Sequence, residues 1–168
     1  MKSSQWSVWL MPSIQHNKDY QKMIKFFSNK YSTEVFAPHV TLFGRLSNQP
    51  KSYFPFFQEI SYKQNPITMK ILDIEKGVPP WKSLYIRLHL DSNVQKFQDS
   101  INKKLEKIRY YDFSPHLSLA YGNISVNKDD LNKIALCKII QFSSLALIYT
   151  PDQINRWELI KRFNFKTI

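Results

Sequence analysis

Phe36-Ala37-Pro38-His39-Val40-Thr41-Leu42 and Phe113-Ser114-Pro115-His116-Leu117-Ser118-Leu119 are one phrase written twice, once in each half of the chain. Both copies read Phe-x-Pro-His, then an apolar residue, a hydroxyl residue and Leu. A single His-x-Thr occurs by chance in many chains, but two copies in one frame point to an internal duplication. Strand alternation decides what each copy presents. His39 and Thr41 share one face, with Val40 and Leu42 on the other. His116 and Ser118 likewise oppose Leu117 and Leu119. Each copy therefore sets an imidazole beside a hydroxyl on a strand whose reverse face is apolar.

The surroundings repeat as well. Residues 5–11 alternate, with Trp6, Val8 and Leu10 against Ser7, Trp9 and Met11, and the strand ends at Pro12. Tyr20, Met23, Ile24, Phe27 and Tyr31 then follow helical spacing, with Asn17 as the expected N-cap. In the second half, residues 84–90 alternate. A helix opened by Asp91 or Ser92 follows, carrying Val94, Phe97, Ile101, Leu105 and Ile108. Each half is thus strand, helix, strand, with the phrase opening the second strand.

Between the halves, Pro50 and Pro55 restrict residues 49–62 to short helical pieces, and 67–74 reads as a strand. Gly77-Val78-Pro79-Pro80 reads as a stiff linker. A short helix over 129–135 precedes strands over 139–149 and 156–165, with Trp157, Leu159, Phe163 and Phe165 on one parity.

The expected fold class is α+β: a bilobal, pseudo-twofold duplication of two antiparallel sheets facing a central cleft, with helices outside. Residues 1–168 form a single domain, with lobes over roughly 1–77 and 81–168 and strands exchanged between them.

Composition narrows the setting. The chain is 43% hydrophobic and 15% aromatic, as a folded protein requires. No apolar run approaches the roughly 18 residues of a membrane span, and the opening residues carry no basic-then-apolar signal pattern. The single Cys137, expected to be a small buried residue, forms no internal disulfide. A cytoplasmic monomer without membrane contact is the expectation. The net charge of +11 suits polyanions such as RNA, and equally suits a merely solvated Lys-rich exterior. Three glycines are too few for a glycine-rich phosphate loop.

Two imidazoles facing one gap form a general acid and base pair, because histidine titrates near neutral pH. The hydroxyls of Thr41 and Ser118 can donate to an oxygen that gains charge. A tetrahedral, anionic phosphodiester suits such a site. A zinc centre needs three or four clustered ligands, and each phrase supplies one. No metal and no cofactor are expected. Ser118 as a nucleophile lies beside His116 on the strand, the wrong geometry for activation.

Pro38-His39-Val40-Thr41-Leu42 and Pro115-His116-Leu117-Ser118-Leu119-Ala120-Tyr121 resemble the signature of the two-histidine phosphoesterase superfamily. Within it, the resemblance is to the cyclic phosphodiesterases of plants and yeast. Ser7-Val8-Trp9-Leu10-Met11-Pro12 resembles that family's opening strand, and residues 145–149 with Arg156-Trp157-Glu158 its closing hairpin.

The resemblance implies hydrolysis of nucleoside 2′,3′-cyclic phosphates to 2′-phosphates and of ADP-ribose 1″,2″-cyclic phosphate. It implies His39 and His116 as catalytic residues, Thr41 and Ser118 as phosphate-binding hydroxyls, and Tyr121 as a phosphate contact through water. Trp9 stands beside the site and Trp81 where a base can stack, although packing explains Trp9 and a turn cap explains Trp81 equally well. By parity Tyr121 faces away from His116 unless the strand breaks near Gly122. The expected roles are His116 as base and His39 as acid. Two other readings stay open: a phosphodiesterase of RNA ends or of 2′-5′-linked or cyclic oligonucleotides, and a non-catalytic RNA-binding protein.

Overall fold

The computed structural model describes residues 5–132 and 134–167. The strands are β1 (Trp6–Pro12), β2 (Val40–Leu46), β3 (Ile67–Lys76), β4 (Leu84–Leu88), β5 (His116–Ala120), β6 (Ile139–Tyr149) and β7 (Glu158–Asn164). The helices are α1 (Ile14–Tyr31), α2 (Phe54–Lys63), α3 (Ser92–Leu105) and α4 (Lys128–Asn132). The class is α+β.

The strands form one antiparallel system in the order β1-β2-β5-β4-β3-β6-β7, and β6 also pairs with β1. The two expected sheets are therefore two joined arms. β6 joins them at one end, pairing with β3 over 139–142 and with β1 beyond. At the other end they meet at a single bridge, Val40 to Leu117. Gly77–Pro80 belongs to the loop between β3 and β4, which pair directly as a hairpin.

One face of this system is the core. Trp6, Val8 and Leu10 of β1 enter it with Val40, Leu42, Leu117 and Leu119, all essentially inaccessible to solvent. Trp9 and Met11, of opposite parity, join Ala146, Ile148 and Trp157 in a separate cluster on the other face. The helices cross over between halves. α1 packs on β5, the strand of the second phrase, and α3 packs on β2, the strand of the first. Inside that second contact the Gln98 amide donates to the Leu42 carbonyl at 3.0 Å. Each half thus supports the other half's phrase.

Local signals needed revision where tertiary contacts supplied a partner. α1 begins at Ile14 after Ser13, so Asn17 lies inside its first turn, where its N–H donates to the Ser13 carbonyl at 2.7 Å. His16 sits in that turn, and its Nδ1 accepts from the Gln141 backbone N–H at 2.8 Å. Around the prolines, a 3₁₀ turn at Pro50–Tyr53 runs straight into α2, because Pro55 falls in the helix's first turn, where a missing N–H costs nothing. Ile108 lies beyond the end of α3 and is 40% exposed. The helix expected over 129–135 ends at Asn132, and residue 133 lies outside the described residues. Cys137 is exposed, because it sits in the connection from α4 to β6 and on neither sheet face.

The Asp91 carboxylate caps α3, accepting from the backbone N–H groups of Asn93 and Val94, each at 2.9 Å. Asp91→Ala is expected to cost about 1 kcal/mol, read as a lower urea midpoint with an unchanged slope.

Candidate active site

The Val40–Leu117 bridge is the local pseudo-twofold point. Antiparallel register about it sets His39 across from Ser118, and Thr41 across from His116. The two phrases become one site because their strands touch here.

Both imidazoles are held in the same way. The His39 Nδ1–H donates to the Ala37 carbonyl at 2.7 Å, and the His116 Nδ1–H to the Ser114 carbonyl at 2.8 Å. A carbonyl only accepts, so each ring carries its proton on Nδ1 and leaves Nε2 for other partners. Pro38 and Pro115 fix the backbone between each ring and the carbonyl that holds it.

A cavity of about 300 Å³ brings together Trp9, His39, Thr41, Trp81, His116 and Tyr121, six of the seven residues expected from sequence. Ser118 is the exception. It is buried, pairs across the strands with Tyr85, and sets its hydroxyl against the Tyr121 phenol instead of on the cavity wall.

Tyr121 reaches the site because β5 ends at Ala120 and Gly122 takes a φ of 102°, which breaks the strand's alternation. Its hydroxyl donates to His39 Nε2 at 3.4 Å, and burial pushes the phenol well above its usual pKa. The Gly122 N–H donates to the Pro80 carbonyl at 2.8 Å, tying this turn to the loop that carries Trp81.

The indole of Trp9 stacks on His39 with ring centroids 3.5 Å apart and planes 5° from parallel. Trp81, 39% exposed, lies under the Arg45 guanidinium at 4.7 Å, and that guanidinium donates to Asp152 at 2.7 Å. Lys82 also lines the cavity. Arg87 and His89 do not: Arg87 is exposed and bonds Asp73 at 2.6 Å, and His89 is exposed beyond β4.

Sequence reasoning missed Trp157. Its ring lies 5.3 Å from Trp9, 5.7 Å from Tyr121, and 6.4 Å from Trp81 at 22° from parallel. Parity grouped it with Phe163 and Phe165, which are buried in the core. A register shift between Leu147 and Ile148 of β6 inserts an extra residue in β7, between Leu159 and Lys161. Trp157 and Leu159 therefore face the cleft side while Phe163 faces the core. The signal that could have found Trp157 was a break in the periodicity of residues 156–165.

Burial drives the His39 imidazole down to about 3, with the charge of His116 adding to the shift and the Ala37 hydrogen bond opposing it. Burial also lowers His116, with Lys82 adding and the Ser114 bond opposing. Both rings are neutral in the free protein near pH 7.

These shifts carry a sign for stability. As pH falls below the ordinary histidine value, the unfolded chain takes up the proton first, so the stability present above about pH 6.5 is lost on the way toward pH 3. The expected slope is up to about 1.4 kcal/mol per pH unit for His39 alone. Urea midpoints from pH 4 to 7 check it, and His39→Gln should flatten the curve.

No family model matches the chain, and no curated protein matches it in sequence. Solved structures do match it. Ligand-free E. coli LigT is 12% identical, with 98% of each chain covered and a TM-score of 0.65. E. coli LigT complexed with 3′-AMP is 10% identical, covering 98% of this chain and 99% of its own, at 0.63. TT0787 of Thermus thermophilus is 12% identical, covering 96% of this chain and 97% of its own, at 0.64. At this identity the likeness is one of fold. The chain has the LigT fold over nearly its whole length.

Proposed function

We propose that this chain is a two-histidine phosphoesterase that hydrolyses nucleotide-derived cyclic phosphodiesters. Nucleoside 2′,3′-cyclic phosphate would open to the 2′-phosphate, and ADP-ribose 1″,2″-cyclic phosphate would be opened in the same way. One observation carries the reading: two imidazoles, fixed by equivalent Nδ1–H bonds, line one cavity. The fold shared with LigT, which was crystallised with 3′-AMP, ATP and NADP+, supports it.

The reaction needs one proton taken and one given. His116, partly open to solvent, accepts a proton from water at Nε2, and the water oxygen attacks phosphorus. The P–O3′ bond breaks and His39 delivers a proton to O3′. His39 is neutral in the free protein, and the burial that strips its proton also magnifies the pull of a phosphate anion beside it. Substrate thereby charges the acid. The parallel Trp9 face favours the imidazolium so formed. Thr41 donates to a non-bridging oxygen. Ser118 and Tyr121 complete the phosphate side, with Ser118 acting through the Tyr121 phenol. The imidazolium and hydroxyl donors supply the electrostatic role that a metal has in other phosphoesterases.

His39→Ala and His116→Ala should each lower kcat/KM by roughly 10²–10⁴ with folding intact. A phosphodiester with a p-nitrophenolate leaving group needs no acid, so it should restore turnover to His39→Ala and not to His116→Ala. The opposite pattern would exchange the two roles.

A further inference from the structure

The duplication extends beyond the two phrases. Ser7-Val8-Trp9-Leu10 of β1 and Ser83-Leu84-Tyr85-Ile86 at the start of β4 share one pattern: Ser, apolar, aromatic, apolar. Register puts them in equivalent places, since Trp9 pairs with Thr41 and Tyr85 with Ser118. The strand ends match as well. Arg45 and Gly122, each four residues past its phrase's hydroxyl, take positive φ values of 52° and 102°. The Ser7 Oγ accepts from the Arg45 N–H at 3.0 Å, and the Ser83 Oγ donates to the Gly122 carbonyl at 2.5 Å. Tyr85 is therefore the second half's counterpart of Trp9.

Each aromatic flanks its own half's histidine, but in a different way. Trp9 turns its face to His39, with planes 5° from parallel. Tyr85 meets His116 at 72°, with ring centroids 5.4 Å apart, and does not itself line the cavity. The Tyr85 hydroxyl donates to Glu75 at 2.7 Å, which fixes the ring. Lys82 lies over that ring, its Nζ 4.6 Å from the centroid. A ring face attracts a cation through its quadrupole, so Tyr85 holds an ammonium beside His116. The loop is tied down on both sides of Lys82: its N–H donates to the Val78 carbonyl, and the Gly77 N–H to the Ser83 carbonyl, each at 3.2 Å.

The other groups around His116 are neutral or already engaged. Arg87, its register partner on β4, bonds Asp73 at 2.6 Å and Glu75 at 3.3 Å, both on β3. Across the cavity His39 is neutral, Arg45 pairs with Asp152, and Arg109 bonds the Gly44 carbonyl. Burial raises the Tyr111 and Tyr121 phenols, which stay protonated. Of the charged side chains lining the cavity, Lys82 alone makes no ion pair among the described residues.

We propose that Tyr85 and Lys82 are positioning residues for His116, holding a cation beside it so that it stays unprotonated as the base. This rests on the phosphoesterase reading and accounts for duplicated histidines that take different roles. One sheet position presents a π face to the acid in the first half and an ammonium beside the base in the second. The electrostatics agree: burial lowers His116, the Ser114 bond opposes, and the Lys82 charge lowers it further.

The p-nitrophenyl diester needs no acid, so the acid limb of its kcat/KM profile reports His116 alone. Lys82→Met should move that limb to higher pH, because a protonated His116 no longer faces a cation. Tyr85→Leu, which removes the ring beneath Lys82, should move it the same way. Tyr85→Phe keeps the ring, and its limb should stay with the parent's. A limb that Lys82→Met leaves in place, or that Tyr85→Phe moves as far as Tyr85→Leu, would overturn the assignment. Lys82 is half-buried in a connecting loop, so its variant decides the matter even if Tyr85→Leu does not fold.

If the parent turns over no phosphodiester, the phosphoesterase reading fails on its own. NMR titration of the His116 imidazole, assigned by its absence from His116→Ala, then carries the test. A midpoint raised in Lys82→Met supports the pair, and an unmoved midpoint overturns it.

Discussion

The backbone bridge between Val40 and Leu117 is the contact on which the rest of the structure depends. It is short, and two apolar residues flanked by polar neighbours make it. Because it is antiparallel, it converts two copies of one phrase into a diagonal arrangement, histidine across from hydroxyl on both sides. The helices hold it from behind by crossing over, α1 on β5 and α3 on β2. Neither phrase can be displaced without disturbing the half of the chain that the other belongs to.

On the cleft face, burial and charge work against each other. The environment around His39 removes its proton through desolvation, while the Ala37 carbonyl and the Trp9 face favour the protonated ring. Such a group is poised: an anion in the same dry space tips it, because charges interact more strongly where water is excluded. Tyr121 adds a hydroxyl that burial keeps protonated, so it remains a donor at neutral pH. The net charge of +11 would draw anions toward a site whose two imidazoles are neutral when free.

The asymmetry of the two copies has a structural form. Thr41 lines the cavity, while Ser118 is buried against Tyr121, a residue that only the second copy leads into. The Tyr-Gly that follows the second copy turns the chain out of β5 and closes one wall with a phenol. Trp157, which comes from the other end of the chain, packs edge-on against that phenol, and five aromatic residues from separate segments line the cavity of the histidine pair.

By itself the sequence determined what alternation can determine. Trp6, Val8 and Leu10 against Trp9 and Met11, and His39 with Thr41 against Val40 and Leu42, were legible because a strand's period is two and one face must be apolar. The duplication was legible because both copies kept the same spacing. Tertiary structure alone decided the rest. A bulge in β7 changes parity, and its one trace in the sequence is the interrupted periodicity of residues 156–165, which hid Trp157. The crossing of α1 and α3 depends on which apolar stripe meets which strand, and each helix shows its stripe in sequence without showing the strand it meets. Cys137 was misread for the same reason, because burial depends on what packs over a residue from far along the chain. The joining of two phrases into one site depended on a single long-range bridge, and no local pattern encodes a contact between residues so far apart.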